Sequence, residues 1–127
     1  MRTFLNRVSL GMALAVLIVT FSACGAGTEP RDVSLDVEVG DRQVVGGATT
    51  HAITNGDTVT LTVTSDEPGA VHLHGYDLEA ETDEHGRAVI NFVADADGRF
   101  PIEMHLGHSH GDEEVTITLG ALEVRPR

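Results

Sequence analysis

Histidine sets the chemistry open to this chain. His72 and His74 stand one residue apart in "VHLHGYD", and His105, His108 and His110 crowd into "MHLGHSHGDEE" with Met104 at its head and acids at 112–114. Imidazole nitrogens and a thioether sulfur are metal-coordinating atoms. An all-imidazole set suits Cu(II) or Zn(II), and a methionine adds tolerance for Cu(I). A plain hairpin requires none of this. The only cysteine, Cys24, lies far upstream, so no thiolate serves these residues and the Cu–S bond on which a blue-copper centre depends is disfavoured. Ser65, Ser109 and the threonines have no motif around them that activates a hydroxyl, which leaves a hydrolase without a nucleophile. A metal-hydroxide hydrolase or oxidase, needing three histidines and an open position, is the remaining catalytic alternative to a non-enzymatic binding role. His51 and His85 sit near turn signals, apart from both groups, and are expected at the surface.

The N-terminus gives the expected address. Met1-Arg2 and Arg7 form a short basic region, an apolar run extends from Val8 to Phe21, and Ser22-Ala23-Cys24 follows. That order is a signal peptide, because the run is shorter than the roughly 20 residues a membrane span needs. The small residue before the lone cysteine resembles a bacterial lipobox, with Phe21 where leucine is usual. The resemblance implies a signal peptide over 1–23, a lipidated tether over 24–31 beginning at Cys24, and a folded domain over 32–127. The expected location is extracytoplasmic, with the membrane contacted through the lipid anchor. An uncleaved anchor or an ordinary secretory peptide with a spare thiol is the alternative.

A lipidated Cys24 leaves the domain without any cysteine, so no disulfide can staple it and a packed core must hold it. After Cys24 six arginines face all twenty acids, a net charge of −14, and the chain has no lysine. Nucleic acid is therefore not an expected partner, and anionic lipid repels the domain while cations are attracted.

Apolar residues alternate with polar ones through Val33, Leu35, Val37 and Val39, then Val59, Leu61 and Val63, then Val89 or Ile90 with Phe92, then Phe100, Ile102 and Met104, and finally Val115, Ile117, Leu119, Leu122 and Val124. Period two in Val- and Thr-rich runs predicts strands. Turn signals separate them at Gly46-Gly47, Asn55-Gly56-Asp57, Glu67-Pro68-Gly69, Glu84-His85-Gly86 and Asp95–Gly98. No helical stripe occurs after residue 31. About seven short strands, each apolar on one side, predict an all-β, two-sheet antiparallel sandwich of Greek-key type, and alternation alone does not choose between an immunoglobulin-like sandwich and others of this class.

The stretches "TVTLTVTSDEPGAVHLHGYDLEAE", "GRAVINFVADADGRFPIEMHL" and "TLGALEVRP" resemble the cupredoxin-like domains of secreted bacterial proteins and, more distantly, the copper domain of cytochrome oxidase subunit two. The resemblance covers roughly residues 32–126, and its most specific parts are His74–Asp77 and Asp97–Ile102. It implies that Tyr76 and Leu78 point into the sandwich, with His74 and His72 on the same inward row and His74 at the first histidine-ligand position. For the missing cysteine ligand two registers stand open. Counting inward positions from Phe100 and Ile102 puts Met104 there, whereas His105-Leu-Gly-His108 reproduces a Cys-x-x-His spacing. Each residue also has a plainer reading: His72 and His74 as a hydrogen-bonded rim pair, Met104 as core, His108 and His110 as a solvated tip. The leading expectation is a copper or zinc ion bound by His74 and the His105–His110 segment, for metal handling. A metal-free sandwich acting as an interaction module at the cell surface is the alternative, and no particular protein partner is implied.

Overall fold

The structure is a computed structural model, and it describes residues 29–107 and 114–127. The expected signal peptide, Cys24, His108 and His110 lie outside the described residues. Nine strands occur in the order β1 (Asp32–Gly40), β2 (Gln43–Val44), β3 (Thr49–Thr54), β4 (Thr58–Ser65), β5 (Gly69–Leu73), β6 (Leu78–Glu81), β7 (Arg87–Val93), β8 (Gly98–Leu106) and β9 (Val115–Arg125). They form a four-stranded sheet, β2-β1-β4-β7, and a five-stranded sheet, β3-β9-β8-β5-β6. The two-sheet sandwich is as expected, with two differences. The two additional elements are accounted for by short strands such as β2 and β6, which carry too few residues for periodicity to mark them. The sheets are mixed rather than antiparallel, since β1 pairs with β4 and β3 pairs with β9 in parallel. From β1 the chain crosses to the edge of the other sheet as β3 and turns at 55–57, so β4 starts at the end where β1 started.

Each strand buries one row of its alternation. Val37 and Val39 of β1, Val59, Leu61 and Val63 of β4, and Ala88 and Ile90 of β7 face Val71 and Leu73 of β5, Ile102, Met104 and Leu106 of β8, and the apolar row of β9, all in one core cluster. β9 changes phase midway: Ile117 and Leu119 point inward, then Leu122 and Val124. The shift accompanies a bulge opposite Ile102 and Glu103, where Gly120 has φ +146° and a Cβ would overlap the Thr49 carbonyl. A bulge adds one residue to one strand and so reverses its alternation.

At the end where β1 begins, the Asp57 side chain is completely buried. Its Oδ1 accepts hydrogen bonds from the Arg31 backbone N–H (3.0 Å) and Arg127 Nη2 (3.0 Å), and its Oδ2 accepts from Arg31 Nη2 (3.1 Å) and the Thr54 N–H (3.1 Å). Burial raises the carboxyl pKa, but these four donors outweigh it and bring it down to about 2. One carboxylate thereby ties the first strand's entry, the turn after β3 and the C-terminus.

Candidate metal-binding site

β5 and β6 form a hairpin in which Leu73 faces Leu78, joined by a turn over 74–77. Gly75 has φ +85° and Asp77 φ +54°, so the period-two count does not carry across these residues. This corrects the expected inward row. Tyr76 and Leu78 do pack against the core, but within β5 the inward residues are Val71 and Leu73. His72 and His74 instead face outward, their side chains 36% and 46% exposed. Reading 71–81 as one strand gave His74 the parity of Tyr76, and the turn removes that relation.

β8 has the same division. Ile102, Met104 and Leu106 are its inward row, with Met104 fully buried, so Met104 rather than His105 holds the inward register. Glu103 and His105 point outward beside the β5 histidines. Across the ladder His72 lies opposite Glu103, and His105 lies opposite Ala70 on one side and Thr116 on the other. The small side chain of Ala70 leaves space on this diagonal. His72 and His105 meet there edge to face with ring centroids 4.9 Å apart, whereas His72 and His74 are stacked at 6.1 Å.

Every one of these rings has a carboxylate at one nitrogen. His72 Nε2 is 3.0 Å from Glu79 Oε2, His74 Nε2 is 2.8 Å from Glu103 Oε2, and His105 Nδ1 is 2.6 Å from Glu114 Oε1. An ionised carboxylate only accepts, so the nitrogen facing it carries the proton. In the neutral ring the other nitrogen keeps its lone pair: Nδ1 of His72 and His74, and Nε2 of His105. Carboxylate partners of this kind orient metal-ligating imidazoles and fix their tautomers. The Thr116 hydroxyl also contacts His105 Nδ1, at 3.2 Å. Because Thr116 and Glu114 share one nitrogen, they do not form a nucleophile relay, which uses the two ring nitrogens separately.

Among the described residues no three His, Cys, Asp or Glu side chains are placed to hold one ion. A pair is a different matter. With metal–nitrogen bonds of about 2.0 Å and a ring centre about 1.1 Å further on, centroids 4.9 Å apart are within the span of two imidazoles on one ion, once the rings turn out of their edge-to-face contact so that both lone pairs aim at it. At 6.1 Å the two rings could share one only near a straight line. His51 lines a groove between the sheets with Asp36, Glu38 and Leu119, and His85 is exposed beside Glu84. The residues that sequence reasoning missed are Glu79, Glu103 and Thr116, whereas Glu114 counts among the acids at 112–114. Glu79 and Glu103 are cross-strand neighbours of His72, and no local motif announces them.

No protein-family model matches this chain, and no curated protein matches it. Solved structures do. A heme-copper terminal oxidase aligns over 74% of this chain and 67% of its own at 19% identity, with a TM-score of 0.52. A blue copper oxidase from Nitrosomonas europaea aligns over 76% of this chain at 20% identity and 0.54, and a multicopper oxidase over 75% at 17% and 0.52. The chain spans only 39% and 42% of the last two. The fold is cupredoxin-like. Of the two positions left open for a cysteine ligand, Met104 is closed in among aliphatic side chains and His105 faces outward; neither is a thiol, and a thiolate copper centre does not fit the residues present there.

Proposed function

We propose that this is a lipid-anchored, extracytoplasmic cupredoxin-like protein that binds copper or zinc through imidazole for metal handling rather than for blue-copper electron transfer. The observation that supports this reading is the placing of His72, His74 and His105 on one outer face, each with one ring nitrogen not taken up by its carboxylate. The chain leaves β8 beside His105 and returns at Glu114, and the intervening segment contains His108 and His110. The fold's likeness to copper oxidases favours copper as cargo. No thiolate is at hand, so the bound ion has nitrogen ligands and lacks the intense visible band of blue copper.

Elemental analysis of protein purified from its own host is expected to show one copper or zinc ion per chain, retained through mild dialysis. Copper loading should produce the spectrum of nitrogen-ligated Cu(II). If the protein binds neither ion more tightly than an unstructured acidic peptide, the metal reading fails. The anchoring half of the proposal is separately tested by Cys24→Ser, which should abolish lipid labelling and move the protein out of the membrane fraction. Mature protein that starts elsewhere and carries no lipid defeats that half alone.

A metal-free interaction module is the second reading. What favours it is that each imidazole already has a carboxylate partner, so none is left unsatisfied without an ion.

A further inference from the structure

We infer that the ion is held on the outer face of the five-stranded sheet by His72 and His105, with Glu114 and Thr116 positioning the His105 ring, and not by His74 at an inward site. This rests on the proposed metal binding and names the atoms that carry it.

Three observations lead there. The first is distance, since His72 and His105 are the two described imidazoles whose separation, 4.9 Å between centroids, suits two ligands of one ion. The second is the proton arrangement on His105. Its Nδ1–H donates to Glu114 Oε1 at 2.6 Å, and the Thr116 hydroxyl holds the same nitrogen from the adjacent strand. Nε2 is left as the coordinating atom. The third is exclusion: on the inward row Ile102, Met104 and Leu106 are packed without exposure beyond 1%, and adding even a Cβ at Gly69 would press on Met104 Cε at 2.9 Å. An ion there requires the core to open, whereas on the outer face it meets ligands without displacing packed atoms.

Two protein ligands leave coordination positions open to water or to donors from another molecule. Such a site suits a borderline divalent ion, Zn(II) or Cu(II), that is exchanged with a partner rather than locked in.

Zinc titration of the full-length protein, followed by calorimetry and by long-range ¹H–¹⁵N imidazole spectra, tests this. His72→Ala and His105→Ala should each weaken zinc binding by about 100-fold, while His74→Ala and Met104→Leu change it less than about threefold. Glu114→Gln should weaken it by about tenfold, the scale seen for partners of metal-bound histidines. In the spectra zinc should shift Nε2 of His105, with Nδ1 keeping its proton. Far-UV circular dichroism on each variant separates lost binding from lost fold, and His105→Gln replaces any alanine variant that fails to fold. Binding that survives both His72→Ala and His105→Ala but is lost on changing His74, or His108 with His110, overturns this pair while leaving the metal-binding proposal standing. Zinc on Nδ1 of His105 overturns the positioning role of Glu114. No binding by the parent protein defeats both proposals.

Discussion

Two of the regions in which carboxylates meet basic side chains are built on opposite terms. At Asp57 the carboxylate is buried and saturated, with both oxygens taken by two donors each. On the outer face of the five-stranded sheet, Glu79, Glu103 and Glu114 are partly exposed, and every imidazole they face keeps one nitrogen unspent. Saturation inside a low-dielectric site makes a structural clasp, because removing one partner leaves several groups stranded. Spare capacity at a solvent-facing site makes ligand-binding potential at little structural cost. A carboxylate beside a basic side chain thus closes the fold at one place and leaves ring nitrogens open to a ligand at the other.

The sharpest way to break this contrast is Asp57→Ala. It strands the Arg31 and Thr54 N–H groups and takes one acceptor from each of two guanidiniums, and should cost about 3 kcal/mol in denaturant unfolding. A loss below about 1 kcal/mol would mean that the clasp is incidental. Acid gives the next effect. Asp57 titrates lower in the fold than in the unfolded chain, from 3.8 to about 2. Its stabilisation is therefore complete above pH 3.8 and lost as pH falls toward 2. Asp57→Asn should flatten the unfolding profile in that window, and a parallel profile would show that other carboxylates govern acid stability.

Smaller effects should separate the two arginines. The Arg127 side chain is 26% exposed and that of Arg31 58%. Screening by solvent therefore leaves Arg127→Ala costing about 1 kcal/mol and Arg31→Ala about half as much. Equal losses would argue that solvent exposure does not set the two arginines apart. Smallest of all should be His72→Ala combined with His105→Ala, which removes half-exposed rings and should move stability by less than about 0.5 kcal/mol. A drop as large as that of Asp57→Ala would make the histidine face a structural element too.

Much of the architecture was legible because alternation reports burial directly. Even the phase change in β9 stands in the sequence, where Leu119 and Leu122 are three apart instead of two. Strand partners were not legible, since β1 and β4 carry the same alternation whether they run parallel or antiparallel. The site was half legible. Histidine spacing named the residues, but that Tyr76 packs inward while His74 faces outward depends on the turn over 74–77, where Asp77 holds a positive φ that non-glycine residues rarely adopt. The carboxylates of the site come from β6, from β8 and from the approach to β9, and only the paired register of the sheet brings them to the rings.

The position of Asp57 has a further consequence for reach. Arg31 enters the fold at the Asp57 end, while His105 lies next to the last residue of β8, at the end where β1 finishes. The nine residues of β1 span about 30 Å at roughly 3.3 Å each. If the chain is anchored at Cys24, residues 24–31 add up to about 27 Å when extended. Together these lengths let the imidazoles sweep a radius of about 55 Å around the point of attachment, far beyond the lipid headgroups, where a partner that never touches the bilayer could collect or deliver an ion.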